Sequence, residues 1–307
     1  MSQTTNTVFL VRPCRFQSNP HTAASNAFQA REPDDDLSAS NMLAQQQFDR
    51  LVVELRKAGV NCLVFDDTPD PHTPDSVFPN NWISTHDDGR VFLYPMEAVN
   101  RRTERRGDIV DALGRVGFDV REVVNISDSE SDGRYLEGTG SLVLDRANCI
   151  AYACRSSRTD AGLVDSVCAR LGYRAEIFSA TDRAGLPVYH TNVMMFVGTT
   201  VAAVCLESIV AEDRERVAES LTATGHEIVD LSFDQIEQFA GNMLELSGPE
   251  GSLIAMSSQA FTSLTDVQRD QLSWHARLVR SDISHIEGQS GGSVRCMLAE
   301  VHLPKRA

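Results

Sequence analysis

The stretch WISTHDDGRVFLYPM, residues 82–96, sets two apolar runs around Asp88-Gly89, a strong signal for a hairpin. The residues after it predict a helix over 97–116 and a strand over 118–124. The same order then recurs three times. A hairpin over 141–154 turns at Arg146-Ala147-Asn148 and leads to a helix over about 157–171 and a strand over 173–178. A hairpin over 193–206 turns at Gly198-Thr199-Thr200, with a helix over about 212–221 and a strand over 226–231. A hairpin over 243–256 turns at Gly248-Pro249-Glu250-Gly251, with a helix over 265–278 and a strand over 281–286. The C-terminal strand expected over 294–301 needs a partner, and the run 8–12, closed by Pro13, can supply it. A helix over about 40–57, capped by Ser38 or Ser40 and ended by Gly59, and a strand over 61–66 complete this fifth unit. Five hairpin–helix–strand units of about 50–60 residues are a repeat architecture, and pairing the chain ends closes it into a ring without an exposed edge. Residues 1–307 therefore read as a single domain, with 14–38 as a long polar loop and candidate lid.

Composition narrows the function. With 307 residues and 42% hydrophobic content the chain can bury a large core. A formal charge of −15 argues against binding a phosphate backbone and suits a cationic or zwitterionic small guest. Seven cysteines without a Cys-x-x-Cys pair fit reduced thiols better than a disulfide framework. The opening MSQTTNTVFLVRP is too weakly charged and too short for a signal peptide, and no apolar run approaches a membrane span. The expectation is a cytoplasmic protein whose partner is a small amino acid, not a nucleic acid or a membrane; self-association into a homo-oligomer is left open. The triplet Asp34-Asp35-Asp36 reads as a solvated helix lead-in, and the histidines show no metal-ligand spacing, so neither a metal nor another cofactor is expected. GQSGGS near the C-terminus lacks the Lys and the following helix of a phosphate loop.

The chemistry gathers where each hairpin begins. Asn81, Glu137, His190, Asn242 and Cys296 stand there at separations of 56, 53, 52 and 54 residues. If the units surround an axis, a thiol, an imidazole, a carboxylate and two amides share one pocket. Gly291-Gly292-Ser293-Val294-Arg295-Cys296 bends the backbone ahead of the last apolar run, placing Cys296 where a turn enters a sheet; Arg295 alternates to the opposite side. Each residue has a plainer explanation alone: Cys296 as a small buried hydrophobe, His190 as a satisfied core histidine, Glu137 as a turn carboxylate, and Asn81 and Asn242 as turn residues. Their shared position favours covalent catalysis by Cys296 with His190 as acid and base and Glu137 to orient or bind, while Asn242 is left as a structural turn residue.

Taken together, the five-unit ring, Asp75-Ser76-Val77-Phe78-Pro79-Asn80-Asn81, Glu137-Gly138-Thr139-Gly140, His190-Thr191-Asn192 and the Cys296 segment resemble the guanidino-group-modifying, or pentein, superfamily over nearly the whole chain. That superfamily includes arginine deiminases, dimethylargininases and amidinotransferases. The likeness is greatest to its arginine-deiminase-related branch of citrulline utilisation hydrolases. The resemblance implies a five-bladed α/β-propeller around a pseudo-fivefold axis. It also implies that Cys296 attacks the central carbon of a guanidinium or ureido group, His190 protonates the leaving amine and then activates water, and Glu137 bonds the substrate nitrogens. Arg101 aligns with a family arginine that holds the substrate α-carboxylate, although it opens a predicted helix whose arginines are otherwise solvated. Asp75 is retained and can contact a substrate nitrogen or simply cap a turn.

The departures set the expected substrate. Guanidine-specific members carry carboxylates where this chain has Asn81 and Asn192. An ionised carboxylate offers only acceptors to a guanidinium, whereas an amide also offers donors to the carbonyl of a urea. The expected reaction is therefore hydrolysis of a ureido amino acid, L-citrulline to L-ornithine, ammonia and carbon dioxide. The alternatives are a deiminase or dihydrolase acting on arginine or a substituted arginine, and a non-catalytic amino-acid-binding relative that has kept the ring. A papain-like hydrolase is disfavoured by the chain order and the repeats.

Overall fold

The computed structural model describes residues 2–23, 26, 28, 29 and 36–306. Asp34 and Asp35 of the acidic triplet, and residues 24, 25, 27 and 30–35 of the candidate lid, lie outside the described residues.

Fifteen strands form five sheets of three among the described residues. The first hairpin, β3 (Ile83–Thr85) and β4 (Arg90–Leu93), is joined in parallel by β5 (Glu122–Asn125). The same pattern recurs in β6 (Val143–Asp145), β7 (Ile150–Cys154) and β8 (Arg174–Phe178), and in β9 (Met195–Val197), β10 (Val201–Val204) and β11 (Glu227–Asp230). It recurs again in β12 (Leu244–Gly248), β13 (Gly251–Ser257) and β14 (Arg277–Ser281). In the fifth sheet β1 (Thr7–Arg12) pairs antiparallel with β15 (Ala299–Glu300) and parallel with β2 (Asn61–Asp66), so the two ends of the chain complete one unit. The expected five repeats are present, and the two chain ends pair as expected within one sheet.

Helices cross between the second and third strands of the units and bury apolar stripes against the sheets. In the longest, Leu37–Lys57, the buried Phe48, Leu51 and Leu55 pack in one core with Val8 and Leu10 of β1. Its cap differs from the expected serine. Asp36 accepts from the backbone N–H groups of Ser38 and Ala39, both at 3.0 Å, because its carboxylate sits just ahead of the first turn and complements the positive helix end.

Three expectations are corrected. The helix foreseen over 97–116 is split into a 3-10 turn, Val99–Glu104, and a helix, Gly107–Arg115. Arg105 breaks the run by turning to the Tyr94 carbonyl and Glu130. The helix foreseen over 265–278 ends at His275, so β14 occupies Arg277–Ser281, in register with β13, and the segment expected as a strand continues into a helix, Ser284–Ser290. Finally, Val294–Met297 is a helical turn, and only Ala299–Glu300 extends as β15.

Leu10 is fully buried at the centre of the closing sheet, opposite Val64. Leu10→Ala is expected to cost about 2–5 kcal/mol of stability, read as a lower urea midpoint with the slope unchanged.

Candidate active site

Short turns, not strand ends, carry the candidate side chains. Asn81 and Asn242 stand two residues ahead of their strands, Cys296 three, His190 five and Glu137 six. The five positions therefore converge although they are not in strict repeat register. Pro79 opens the 3-10 turn Pro79–Asn81, where its missing N–H costs nothing. Glu137 precedes the turn Gly138–Ser141, and Ser141 Oγ accepts from the Glu137 backbone N–H at 3.1 Å. Gly138 has φ +47°, and a Cβ there would collide with the Asn80 carbonyl oxygen, so this close approach requires glycine. His190 is extended ahead of Thr191–Val193, and the Thr191 hydroxyl ties that turn to the previous unit by donating to the Ser141 carbonyl at 2.6 Å.

These turns enclose a cleft of about 280 Å³ whose lining includes Asp75, Asn81, Arg101, Arg158, His190 and Cys296. Its volume is at the small end of small-molecule sites, about 300–1,000 Å³. Thr22 and Asn26 from the candidate lid also line it. Asn19, from the same segment, donates to Asp75 at 2.7 Å, so the described part of the loop reaches the site.

Glu137 is fully buried. Burial pushes its carboxyl up, but the Arg158 guanidinium at 3.6 Å, the His190 hydrogen bond and Arg101 at 3.8 Å outweigh this and lower it to about 2. Its Oε1 accepts from the Glu97 backbone N–H at 3.0 Å and its Oε2 meets His190 Nε2 at 2.9 Å. An ionised carboxylate can only accept, so Nε2 carries the proton and Nδ1 keeps the lone pair. Burial, with Arg158 and Arg101, lowers His190 to about 4 despite Glu137, leaving a neutral imidazole at pH 7. Gly140 makes room at Nδ1: a Cβ there would come within 2.8 Å of that nitrogen and would collide with Asn81 Nδ2.

The Cys296 sulfur lies between two amides. Asn242 Nδ2 is 3.3 Å from Sγ and Asn192 Nδ2 is 3.5 Å away. Arg295 points elsewhere, donating to the Leu298 carbonyl and to Glu300 at 2.8 Å, which is the separation from Cys296 expected of it, although in a helical turn. Asn242, expected to be only a turn residue, is thus brought against the sulfur, and its place in the series at hairpin starts was the available signal. Arg158 and Tyr189 were missed, and no motif marks them. The Arg158 guanidinium stacks over the Tyr189 ring at 5.0 Å, and that ring lies against His190 at 4.8 Å.

Arg101, expected to hold an α-carboxylate, lines the cleft, and its guanidinium donates to Glu104 at 2.9 and 3.0 Å, to Asn81 Oδ1 at 3.0 Å and to the Phe78 carbonyl at 3.4 Å. Among the described residues no group of His, Cys, Asp and Glu is placed to hold a metal ion, and no helix is long and apolar enough to cross a membrane.

Comparison with known proteins places this geometry. A family model described as "N,N dimethylarginine dimethylhydrolase, eukaryotic" matches residues 12–303. The N-terminal domain of ArgZ bound to substrate, an arginine dihydrolase from the ornithine–ammonia cycle in cyanobacteria, superposes with a TM-score of 0.71. That match has 14% identity and covers 96% of this chain and 97% of that one. Unliganded AgrE gives 0.74 at 14% identity, covering 98% of this chain but 40% of the longer AgrE chain. A dimethylarginine dimethylaminohydrolase adduct with S-methyl-L-thiocitrulline gives 0.65 at 15% identity, over 96% and 98% of the two chains. At these identities the likeness is one of fold. No curated protein sequence matches the chain.

Two outcomes follow from the site. His190 takes its proton at a lower pH in the folded chain (about 4) than at its ordinary value of 6.5, so the unfolded state binds more protons between them. Stability should therefore rise with pH from about 4 to 6.5 and fall on acidification, and in urea titrations His190→Gln should flatten that slope. Gly140→Ala, which displaces both His190 Nδ1 and Asn81 Nδ2, should lower kcat by about a hundred-fold or more with an unchanged circular dichroism spectrum.

Proposed function

The chain belongs to the N,N-dimethylarginine dimethylhydrolase family, hydrolases of non-peptide carbon–nitrogen bonds, and from that premise we propose that it hydrolyses a ureido amino acid, L-citrulline, to L-ornithine, ammonia and carbon dioxide. One observation carries this reading. Arginine has no acceptor, so the Asn81 oxygen must face Arg101, and the amide is fixed with Nδ2 turned the other way. That Nδ2 is buried and has no partner among the described residues, on a side chain lining the cleft. An N–H there suits the carbonyl oxygen of a urea and opposes a guanidinium, which is donor on every edge.

The steps use the groups in place. The Cys296 thiol gives its proton to His190 Nδ1 as sulfur bonds to the ureido carbon, with Asn81 Nδ2 donating to the developing oxyanion. The carbon–nitrogen bond then breaks as His190 returns that proton to the leaving amine. Water, deprotonated by His190, attacks the thiocarbamoyl intermediate and releases the thiolate, which takes that proton back from His190; the carbamic acid formed breaks down to carbon dioxide and the second amine. General acid–base help from His190 is worth about a hundred- to ten-thousand-fold. Glu137 holds the imidazole in the required tautomer, and Asn192 stands beside the reacting sulfur.

A second reading has its own observation. Asp75 Oδ1 is buried without a partner among the described residues and lines the same cleft, an acceptor that suits the N–H groups of arginine or a substituted arginine. Incubating the protein separately with citrulline, arginine and dimethylarginine and quantifying ornithine, citrulline and ammonia separates the two. The expected result is ornithine from citrulline alone, abolished in Cys296→Ser. Asn81→Asp should cut citrulline turnover by about a hundred-fold. Citrulline formed from arginine or dimethylarginine by the unsubstituted protein would overturn the ureido assignment.

A further inference from the structure

We infer that Asn242 is a catalytic residue: its side-chain N–H group is a fixed donor to the Cys296 sulfur that stabilises the thiolate in attack and again as leaving group. The orientation of this amide is forced from both ends. Its Oδ1 accepts from the backbone N–H of Arg295 at 3.0 Å, a group that can only donate. Nδ2 must then face the other way, where it lies 2.9 Å from the Asn192 carbonyl and 3.3 Å from Cys296 Sγ. Its two hydrogens are thus shared between a carbonyl that orders the amide and the sulfur that reacts.

The surroundings hold this arrangement. Asn242 has no solvent exposure. Gly241 before it lies so close to Val193 and Met194 that a Cβ would collide with their backbone, which fixes the turn against the neighbouring unit. Arg295, the acceptor's partner, belongs to the same turn as Cys296, so the bond that sets the amide also sets the distance to the sulfur. A preorganised N–H stabilises a charged sulfur more than a neutral one, and it needs no reorganisation when the charge forms.

The proposal rests on Cys296 as nucleophile and not on the identity of the substrate, and its test needs no substrate. Alkylation of Cys296 by iodoacetamide is followed by peptide mass mapping from pH 6 to pH 10, with Cys296→Ala confirming which peptide carries the label. Asn242→Asp keeps the acceptor for Arg295 but sets a carboxylate against the sulfur. It should slow alkylation at neutral pH by about ten-fold or more, with recovery at alkaline pH, while kcat falls and KM changes little. Asn242→Ser, which removes the N–H without adding charge, should show a smaller shift of the same kind and decides the matter if the aspartate variant does not fold. Alkylation unchanged at every pH, or lowered equally at every pH as a loss of access would lower it, overturns the proposal. Failure of the citrulline assay alone leaves the alkylation result intact, whereas absence of labelling at Cys296 in the unsubstituted protein refutes the nucleophile itself.

Discussion

A carboxylate shut away from water, Glu137, is the group on which its neighbours depend. Leaving an ionised carboxylate in such a place unpaired would cost several kcal/mol. Arg158, Arg101, His190 and the Glu97 backbone N–H together offset that cost and keep the charge. Because the charge is kept, Glu137 can only accept, and His190 is confined to one tautomer with Nδ1 available for chemistry. Because Arg101 is drawn to this cluster of carboxylates, it in turn imposes an orientation on Asn81. The polarity of the cleft thus follows from a few buried charges, Glu137 through His190 and the carboxylates Glu104, Asp75 and Glu137 through Arg101.

The site also depends on neighbouring units gripping one another. The Thr139 hydroxyl donates to the Asn80 carbonyl, Thr191 to the Ser141 carbonyl, and Asn242 to the Asn192 carbonyl, each bond crossing from one unit to the one before it. The Arg295 backbone continues the series by donating to Asn242, and Gly292 packs so close to the Phe78 ring that a Cβ would not fit. The side chains around the cleft are therefore positioned by bonds between units as well as within them. Pairing of β1 with β15 stabilises the cleft through geometry, although β1 contributes no side chain to the chemistry.

The five repeats and the convergence of three side chains on one cleft were legible in the sequence for different reasons. Hairpins announce themselves by turn chemistry such as Asp88-Gly89, and their recurrence gave the five units before any contact was known. Cys296, His190 and Glu137 were found by position at hairpin starts. What escaped was local. Val294–Met297 is buried throughout, Arg295 included, and a single buried helical turn leaves no period to distinguish it from a strand. The break at Arg105 arises from Glu130, distant in sequence, which no local pattern encodes. Arg101 matched a motif position, but its role follows from Glu104 one turn on, whose burial against it is a tertiary fact.

Asparagine in this site differs from aspartate in more than charge. A carboxylate presents two equivalent acceptors, so a neighbour that holds one oxygen leaves the other unchanged in kind. An amide has two unlike ends, and a donor-only neighbour that claims the oxygen dictates that a donor faces the opposite way. Arg101 does this to Asn81, and the backbone N–H of Arg295 does it to Asn242. The two amides meet different atoms, one turned from Arg101 on the cleft wall and the other directed at the sulfur, yet the same physical device sets both. Exchanging either for aspartate would therefore not simply add charge; it would reverse the polarity presented on the side away from the supporting bond while leaving that bond in place. The amide-for-carboxylate difference thus changes which end of the side chain faces the cleft while the bond that holds it, to Arg101 or to the Arg295 backbone, stays the same.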